Sequence, residues 1–274
     1  MNSAQKKISI IGGGNIGSAI ALGLVHSGLY KPSEIIITRR NQELLKPFLE
    51  KGFQTSPNNS RAVSDTEIVI ISVTPQQLNQ LLEEIKDSID IKKHVILSIV
   101  SGVTINQIRQ QLESDVPVIR VMPNTAIAIQ ESMTCISAEK KDHDKLETAK
   151  KIFDALGKSL VIDESLMVPA TALCACGIAF FLRAIRAASQ GGIEIGFHSE
   201  DALIMASQTA KGAASLLLSM GNHPENEVDK VTTPRGCTIS GLNQMEHSGF
   251  SSAMIKGITT SAEKAAQLYS PVEK

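Results

Sequence analysis

Ile8-Ser9-Ile10-Ile11-Gly12-Gly13-Gly14-Asn15-Ile16-Gly17 is the stretch whose reading decides the fold. The apolar run Ile8–Ile11 has the character of a strand buried on both faces, and residues 18–27 continue as a helix. Three glycines at the spacing G-x-G-x-x-G join the two. Gly12 permits the tight turn after the strand, Gly14 lets backbone approach a pyrophosphate, and Gly17 lets the helix pack closely on a sheet. Asn15 and Ile16 open that helix, where free N–H groups favour an anion. A dinucleotide is therefore expected at Gly12, Gly14, Asn15, Ile16 and Gly17.

The next strand-like run, Glu34-Ile35-Ile36-Ile37-Thr38, ends in Arg39-Arg40. An NAD-preferring domain places an Asp or Glu at this strand end to accept from the adenosine ribose. No carboxylate stands there in this chain. Thr38 offers a hydroxyl, and Arg39 and Arg40 offer charge-assisted bonds suited to a 2′-phosphate. NADPH is the cofactor expected, with NADH binding more weakly.

The chain has 274 residues and a formal net charge of −1, with no Trp, two Tyr and four Cys. It is long enough for one large or two ordinary domains. Near-neutral charge, few aromatics and the lack of a basic stripe argue against nucleic acid as a partner. No run reads as long and apolar enough to span a bilayer, and the early first strand leaves no room for a signal peptide, so no membrane partner is expected. Four cysteines without disulfide-scaffold density suit a reducing cytoplasm.

Further apolar β-type runs occur at residues 68–73, 95–99, 118–122 and 160–162, with polar helical stretches between them. That alternation predicts an α/β N-terminal Rossmann-like domain with a doubly wound parallel sheet over residues 1–165. Ligands of such sheets lie beyond the carboxyl ends of the strands, so Thr74-Pro75, Ser101-Gly102 and Pro123-Asn124-Thr125 are expected to line the cofactor cleft. From about residue 166 Ala-rich helical spacing takes over, at 170–190, 199–220 and 239–267. Residues 166–274 thus read as an all-α C-terminal dimerisation domain. Its helices are apolar and rich in small residues, which favours an intertwined homodimer.

Val231-Thr232-Thr233-Pro234-Arg235-Gly236-Cys237-Thr238-Ile239-Ser240-Gly241-Leu242 is the unusual stretch of the helical half. Pro and Gly break the chain, and a helix begins near Cys237 or Thr238. Its first N–H groups form an anion site for a carboxylate, with the Thr238 hydroxyl beside it; taken alone, the stretch reads equally as an ordinary capped loop between helices. The same stretch resembles the signature V-T-S-P-G-G-T-T-I-x-G-L of the pyrroline-5-carboxylate reductases of proline synthesis. Residues 12–17, Val73-Thr74-Pro75, Ile119-Arg120-Val121-Met122-Pro123-Asn124-Thr125 and Gln208-Thr209-Ala210-Lys211-Gly212-Ala213-Ala214 match further blocks of that family, and residues 172–180 match in part. The resemblance covers essentially the whole chain.

It implies NADPH-dependent reduction of the cyclic imine 1-pyrroline-5-carboxylate to L-proline. It also implies that Met122, Pro123 and Asn124 hold the nicotinamide end, that Val73, Thr74 and Pro75 line the cofactor, and that Asn59 lies near the adenosine. Cys176, Thr233, Arg235, Gly236, Cys237 and Thr238 would bind this small substrate with its carboxylate, Thr238 bonding the ring nitrogen, which makes residues 166–274 the substrate-binding domain as well. The family's assembly of dimers into larger homo-oligomers is implied as well.

Five positions in three blocks depart from the family pattern. Thr74 replaces a Lys, Arg235 replaces a Gly, and Cys174, Cys176 and Ile178 replace two Ser and a Pro. If the glycine position needs φ > 0, Arg235 is strained there; alternatively its guanidinium grips a carboxylate. Two alternatives stand beside the reductase: an enzyme of the same fold acting on another imine or on a keto or hydroxy acid, and a non-catalytic, redox-sensing NADP-binding protein. No His or Cys spacing matches a metal site, so no metal is expected. Lys211 is followed by Gly212-Ala213-Ala214, not by Asn, and reads as a surface or interface lysine.

Overall fold

In the computed structural model, which describes residues 7–269, the glycine turn joins strand β1 (Ile8–Ile11) to helix α1 (Asn15–His26). The chain continues through β2 (Ile35–Thr38), α2 (Lys46–Glu50), β3 (Gln54–Ser56), α3 (Asn59–Ser64), β4 (Ile68–Ile71) and α4 (Pro75–Ile85). Then come β5 (Val95–Ser98), α5 (Ile105–Leu112), β6 (Val118–Met122), β7 (Ser132–Ala138), α6 (Leu146–Asp154) and β8 (Gly157–Val161). The strands form one sheet in the order β3-β2-β1-β4-β5-β6-β7-β8. β1 pairs with both β2 and β4 in parallel, so the strand order reverses at β1, where such sheets bind ligands.

Alternate residues of each strand feed two separate apolar layers. Ile8, Ile10, Ile35 and Ile37 pack under α1 and α6, against Ile20, Leu24 and Phe153. Ile11, Ile36, Val69 and Ile71 pack on the other face against Leu78 and Leu82 of α4 and Ile108 of α5. Burial on both faces explains why these strands are near-continuous Ile and Val.

The sheet differs from the expected all-parallel one. β7 runs antiparallel to β6, and β8 is parallel to β7. Neither β3 nor β7 carries an apolar run. In β7 the buried positions include Ser132 and Thr134, whose hydroxyls bond each other at 3.1 Å. A strand whose buried positions carry hydroxyls leaves no continuous hydrophobic signature.

Beyond β8 the chain is helical: α7 (Met167–Ala170), a π-helical turn at Thr171–Cys176, α8 (Gly177–Glu194), α9 (Ser199–Met220), α10 (Pro224–Val231), α11 (Cys237–His247) and α12 (Phe250–Ala265). The helix expected over 239–267 is broken at Ser248-Gly249, where Gly249 takes φ +79°. Helix α10, too polar to stand out, was not anticipated.

Contacts divide the chain into two units, Gly177–Thr260 and the remainder. The expected boundary at 165/166 therefore lies upstream of the structural one. Met167, Ala170 and Ala172 are buried with the sheet, and Tyr269 donates its hydroxyl to Asn79 Oδ1 of α4 at 2.6 Å, returning the chain end to the first unit. The first six and last five residues of the expected domains lie outside the described residues.

In the second unit Phe181, Leu182, Ile195, Ile204, Leu218 and Met220 are exposed, whereas α8 and α9 bury little beyond Ser189 and Ala202. The helical stretch Glu164–Glu194 is long and apolar enough to cross a membrane by length and composition, which corrects the expectation that no run is. Its small residues and the α7 turn hid that length.

The chain leaves β8 through a half-buried ion pair. Glu164 Oε1 accepts from Arg120 Nη1 of β6 at 3.3 Å and from the Ile105 N–H that opens α5 at 2.7 Å. Arg120 is 3% exposed, and its Nη2 has no hydrogen-bond partner among the described residues. Glu164→Gln leaves a buried guanidinium uncompensated and is expected to lower unfolding stability by about 2 kcal/mol, read from the urea midpoint; an unchanged midpoint would show that Arg120 needs no counter-charge.

Candidate cofactor cleft and substrate turn

The turn after β1 is built by backbone. Gly12 takes φ +108°, a region closed to most side chains, and a Cβ there would sit 2.7 Å from the Ser72 carbonyl oxygen. A Cβ on Gly17 would come to 2.2 Å from the Gly12 carbonyl oxygen. A Cβ added at Gly14 would meet nothing within 4 Å, so that side of the chain is open to a ligand. Gly12 and Gly13 donate their N–H groups to the Thr38 carbonyl, and Ser72 Oγ donates to the Gly12 carbonyl at 2.7 Å. Gly14 is the N-cap of α1 and has no side chain to cap it. The first-turn N–H groups, at Asn15, Ile16 and Gly17, thus remain available to an anion.

A cleft of about 480 Å³ opens at this switch point. It is lined by Gly12 and Gly14 from the turn, by Thr38, Arg39 and Arg40 beyond β2, by Asn59, and by Val73 and Thr74 beyond β4. Most of the predicted cofactor residues therefore converge. Ser72, Gln77, Gln80 and Glu84 also line it and were not anticipated. Ser72 carries no signal beyond being a small residue just after a strand, and the three α4 residues belong to a polar face like any other.

The two arginines differ. Arg39 is half-buried and donates from Nη1 to the Gly13 carbonyl at 2.7 Å, so part of its guanidinium braces the turn. Arg40 is exposed, with a long 3.5 Å contact to Gln80 Oε1, and is free to meet a phosphate. Thr38 is buried, and its clear role is the carbonyl that holds the glycine turn. Asn59 donates to Glu84 Oε2 at 2.9 Å. Thr74 is the N-cap of α4, with Pro75 at the first helical position, and its N–H donates to Gln77 Oε1 at 3.4 Å.

Met122, Pro123 and Asn124 are not among the residues lining this cleft, nor are Ser101 and Gly102. Met122 is buried with Cys135 and Met167, and Asn124 caps a short 3₁₀ turn, its Oδ1 accepting from the Ala126 N–H. Asn124 Nδ2 donates to the Cys174 carbonyl at 3.3 Å. Cys174 faces Cys135, a residue the sequence did not single out, with sulfurs 3.9 Å apart. All four cysteines are free. Among the described residues no cluster of three or more His, Cys, Asp or Glu is placed to hold a metal.

In the second unit the predicted substrate residues form a turn and a helix start. Gly236 N–H donates to the Thr233 carbonyl at 2.9 Å, closing a four-residue turn with Pro234 second and Arg235 third. Arg235 takes φ +61°, as the third position of a type II turn requires and as glycine would take freely. Helix α11 follows with Gly236 as its N-cap, again without a capping side chain. Cys237 and Thr238 are its first two residues, the first exposed and the second half-buried. Cys176 ends the π-helical turn and belongs to the first unit, whereas Thr233, Arg235, Gly236, Cys237 and Thr238 belong to the second.

A glycine turn at the reversal of a doubly wound sheet, with arginines in place of the ribose carboxylate, defines a Rossmann-like dinucleotide-binding protein. Comparison with known proteins narrows this. Residues 164–268 match the family described as pyrroline-5-carboxylate reductase dimerisation, and residues 7–102 match NADP oxidoreductase, coenzyme F420-dependent. Pyrroline-5-carboxylate reductase 2 of Dictyostelium discoideum is 50% identical over 98% of this chain and 95% of its own length. Pyrroline-5-carboxylate reductase 1 of the same organism is 56% identical over 96% of this chain, which spans 50% of that relative's length. A crystal structure of Plasmodium falciparum pyrroline carboxylate reductase with NADP bound shares the fold, with a TM-score of 0.89 at 22% identity and coverage of 97% and 99% of the two chains. The chain belongs to the pyrroline-5-carboxylate reductase family.

The positive φ at Arg235 has a measurable cost. Arg235→Gly relieves about 1 kcal/mol of left-handed strain and returns part of it as unfolded-state entropy. The expected net gain is about 0.5 kcal/mol in a thermal or urea melt; a loss of stability would mean that the Arg235 side chain makes contacts that hold the turn.

Proposed function

We propose that the protein is an NADPH-dependent reductase converting 1-pyrroline-5-carboxylate to L-proline. The observation that carries this is the 50% identity to a protein of that name over nearly the full length of both chains. The cofactor cleft fits the dinucleotide: an uncapped α1, open space at Gly14 and cationic side chains beyond β2. When bound, NADPH supplies the hydride that reduces the C=N bond. The N–H groups that open α11 hold the substrate carboxylate, and the Thr238 hydroxyl holds the ring nitrogen. A protonated imine is already electrophilic, so orientation and fixed dipoles do most of the work and no strong base is required.

Met122, Pro123 and Asn124 are assigned to the nicotinamide end on the family resemblance, supported by the place of 122–124 at the carboxyl end of β6. The exposed apolar helices of the second unit are covered by a second copy of the chain, in keeping with the match to a dimerisation family. Larger assemblies of such dimers are part of the same proposal. Four free cysteines suit a reducing compartment, and the cytoplasm is the location proposed.

Two substitutions test the assignments, with NADPH oxidation followed at 340 nm. Arg40→Ala is expected to raise the Kd for NADPH about tenfold, the size of one charge-assisted bond, and to leave NADH binding unchanged. Arg39→Ala weakens both nucleotides, because it also frees the Gly13 carbonyl. Equal losses for both nucleotides in Arg40→Ala would remove the 2′-phosphate role. Thr238→Val keeps the side-chain shape and deletes the hydroxyl; kcat should fall by roughly tenfold to a hundredfold at unchanged NADPH affinity. Full turnover in that variant would show that Thr238 does not touch the reacting ring.

A further inference from the structure

The two sulfurs that approach each other in this chain clasp one strand end from two sides. Cys135 on β7 pairs in register with Met122 on β6. The Cys174 carbonyl, in the π-helical turn, accepts from Asn124 Nδ2 at 3.3 Å. Their sulfurs lie 3.9 Å apart in a small apolar cluster with Met122, Met167 and Ala170. Cys135 is buried and Cys174 half-buried, so an oxidant reaches the second first.

We propose that Cys135 and Cys174 form a peroxide-responsive pair whose reversible disulfide slows the enzyme by displacing the residues at 122–124. Two features of the site favour it. The thiol of Cys135, 3.9 Å away, lowers the pKa of the Cys174 thiol below its ordinary value by hydrogen bonding, which favours the thiolate there. That same bond, with burial, pushes Cys135 up, which keeps it a protonated thiol until Cys174 has reacted.

The chemistry balances with a hydroperoxide as oxidant. The Cys174 thiolate attacks hydrogen peroxide, an S–O bond forms as O–O breaks, and the departing hydroxide takes a proton to leave as water. Cys135 then gives up its proton and attacks the sulfenic sulfur; S–S forms, S–O breaks, and a second water leaves. Two thiols lose two electrons, and the peroxide gains them. Bond formation requires the sulfurs to close to roughly 2.05 Å. β7 is held between β6 and β8, so the movement falls on the π-helical turn, a form of helix that departs from regular bonding. That turn carries the carbonyl that holds Asn124. The effect on turnover rests on the assignment of 122–124 to the nicotinamide end; the pairing of the two sulfurs does not.

The test is to titrate the full-length protein with hydrogen peroxide and to measure free thiols, a non-reducing peptide map, NADPH affinity by fluorescence, and turnover with 1-pyrroline-5-carboxylate. The four thiols should fall to two, with a single cross-linked peptide joining Cys135 to Cys174. NADPH affinity or turnover should drop at least threefold and recover in dithiothreitol. Cys135→Ala should retain the activity of the reduced enzyme, form no cross-link, and slow the oxidation of Cys174, because the hydrogen bond that favours its thiolate is gone. A bridge between Cys174 and Cys176, or survival of both Cys135 and Cys174 at doses that oxidise Cys237, would overturn the pair. A complete Cys135–Cys174 cross-link with unchanged NADPH affinity and unchanged turnover would overturn its regulatory effect. If the reduced protein does not turn over 1-pyrroline-5-carboxylate at all, the proposed substrate fails, while the peptide map and NADPH affinity still decide for or against the switch.

Discussion

The Gly12 carbonyl accepts the Ser72 hydroxyl at 2.7 Å, and Gly17 stands so near that carbonyl that a Cβ would reach it at 2.2 Å. Everything about the first unit turns on this three-way approach of β1, α1 and the end of β4. It brings α1 onto the sheet at the one place where strand order reverses, and it aims the uncapped helix start into the cleft. The Thr38 carbonyl fixes the same turn from the β2 side through Gly12 and Gly13. Because the contacts are mainly backbone, the cradle is rigid before any ligand arrives. A rigid cradle loses little entropy when an anion settles on it.

The second unit obeys the opposite constraint. Its helices bury almost nothing of their own apolar surface, so a hydrophobic driving force remains to be satisfied outside the chain. Gly192 passes Ala202 with space for only a hydrogen, since an added Cβ would lie 3.1 Å from the Ala202 Cβ. Small residues thus let α8 and α9 lie close together, and their larger neighbours are left facing outward. Such a unit gains its stability from association more than from its own interior, which is what a match to a dimerisation family describes.

How much of this could be read from the chain follows from where the constraints lie. The glycine turn, the Ile-rich central strands and the limits of α9 were legible, because each expresses a steric or burial demand that few residues meet. β7 was not legible: Ser132 and Thr134 satisfy one another inside the sheet, so burial there leaves no apolar mark. The Cys135–Cys174 contact was equally silent, since it depends on an antiparallel strand and a π-helical turn that no periodicity announces. Arg39 shows a subtler limit. Its position beyond β2 was readable, but the division of its guanidinium between the turn and the cleft is a matter of distance alone.

The substrate turn joins local cost to chemistry. Gly236 N–H to Thr233 carbonyl holds the turn, and a Cβ on Gly236 would lie 2.5 Å from Thr233 Oγ1, so the chain has no slack to release Arg235 from φ +61°. Geometry alone would favour glycine there. The arginine also brings positive charge to a helix start that is already positive by its N–H groups, which costs further energy in the free protein. On the proposed function, a bound carboxylate would offset both, through the helix N–H groups and through the guanidinium. Backbone strain of this kind clusters at functional sites, and in this chain it falls on the residue that departs from the family glycine.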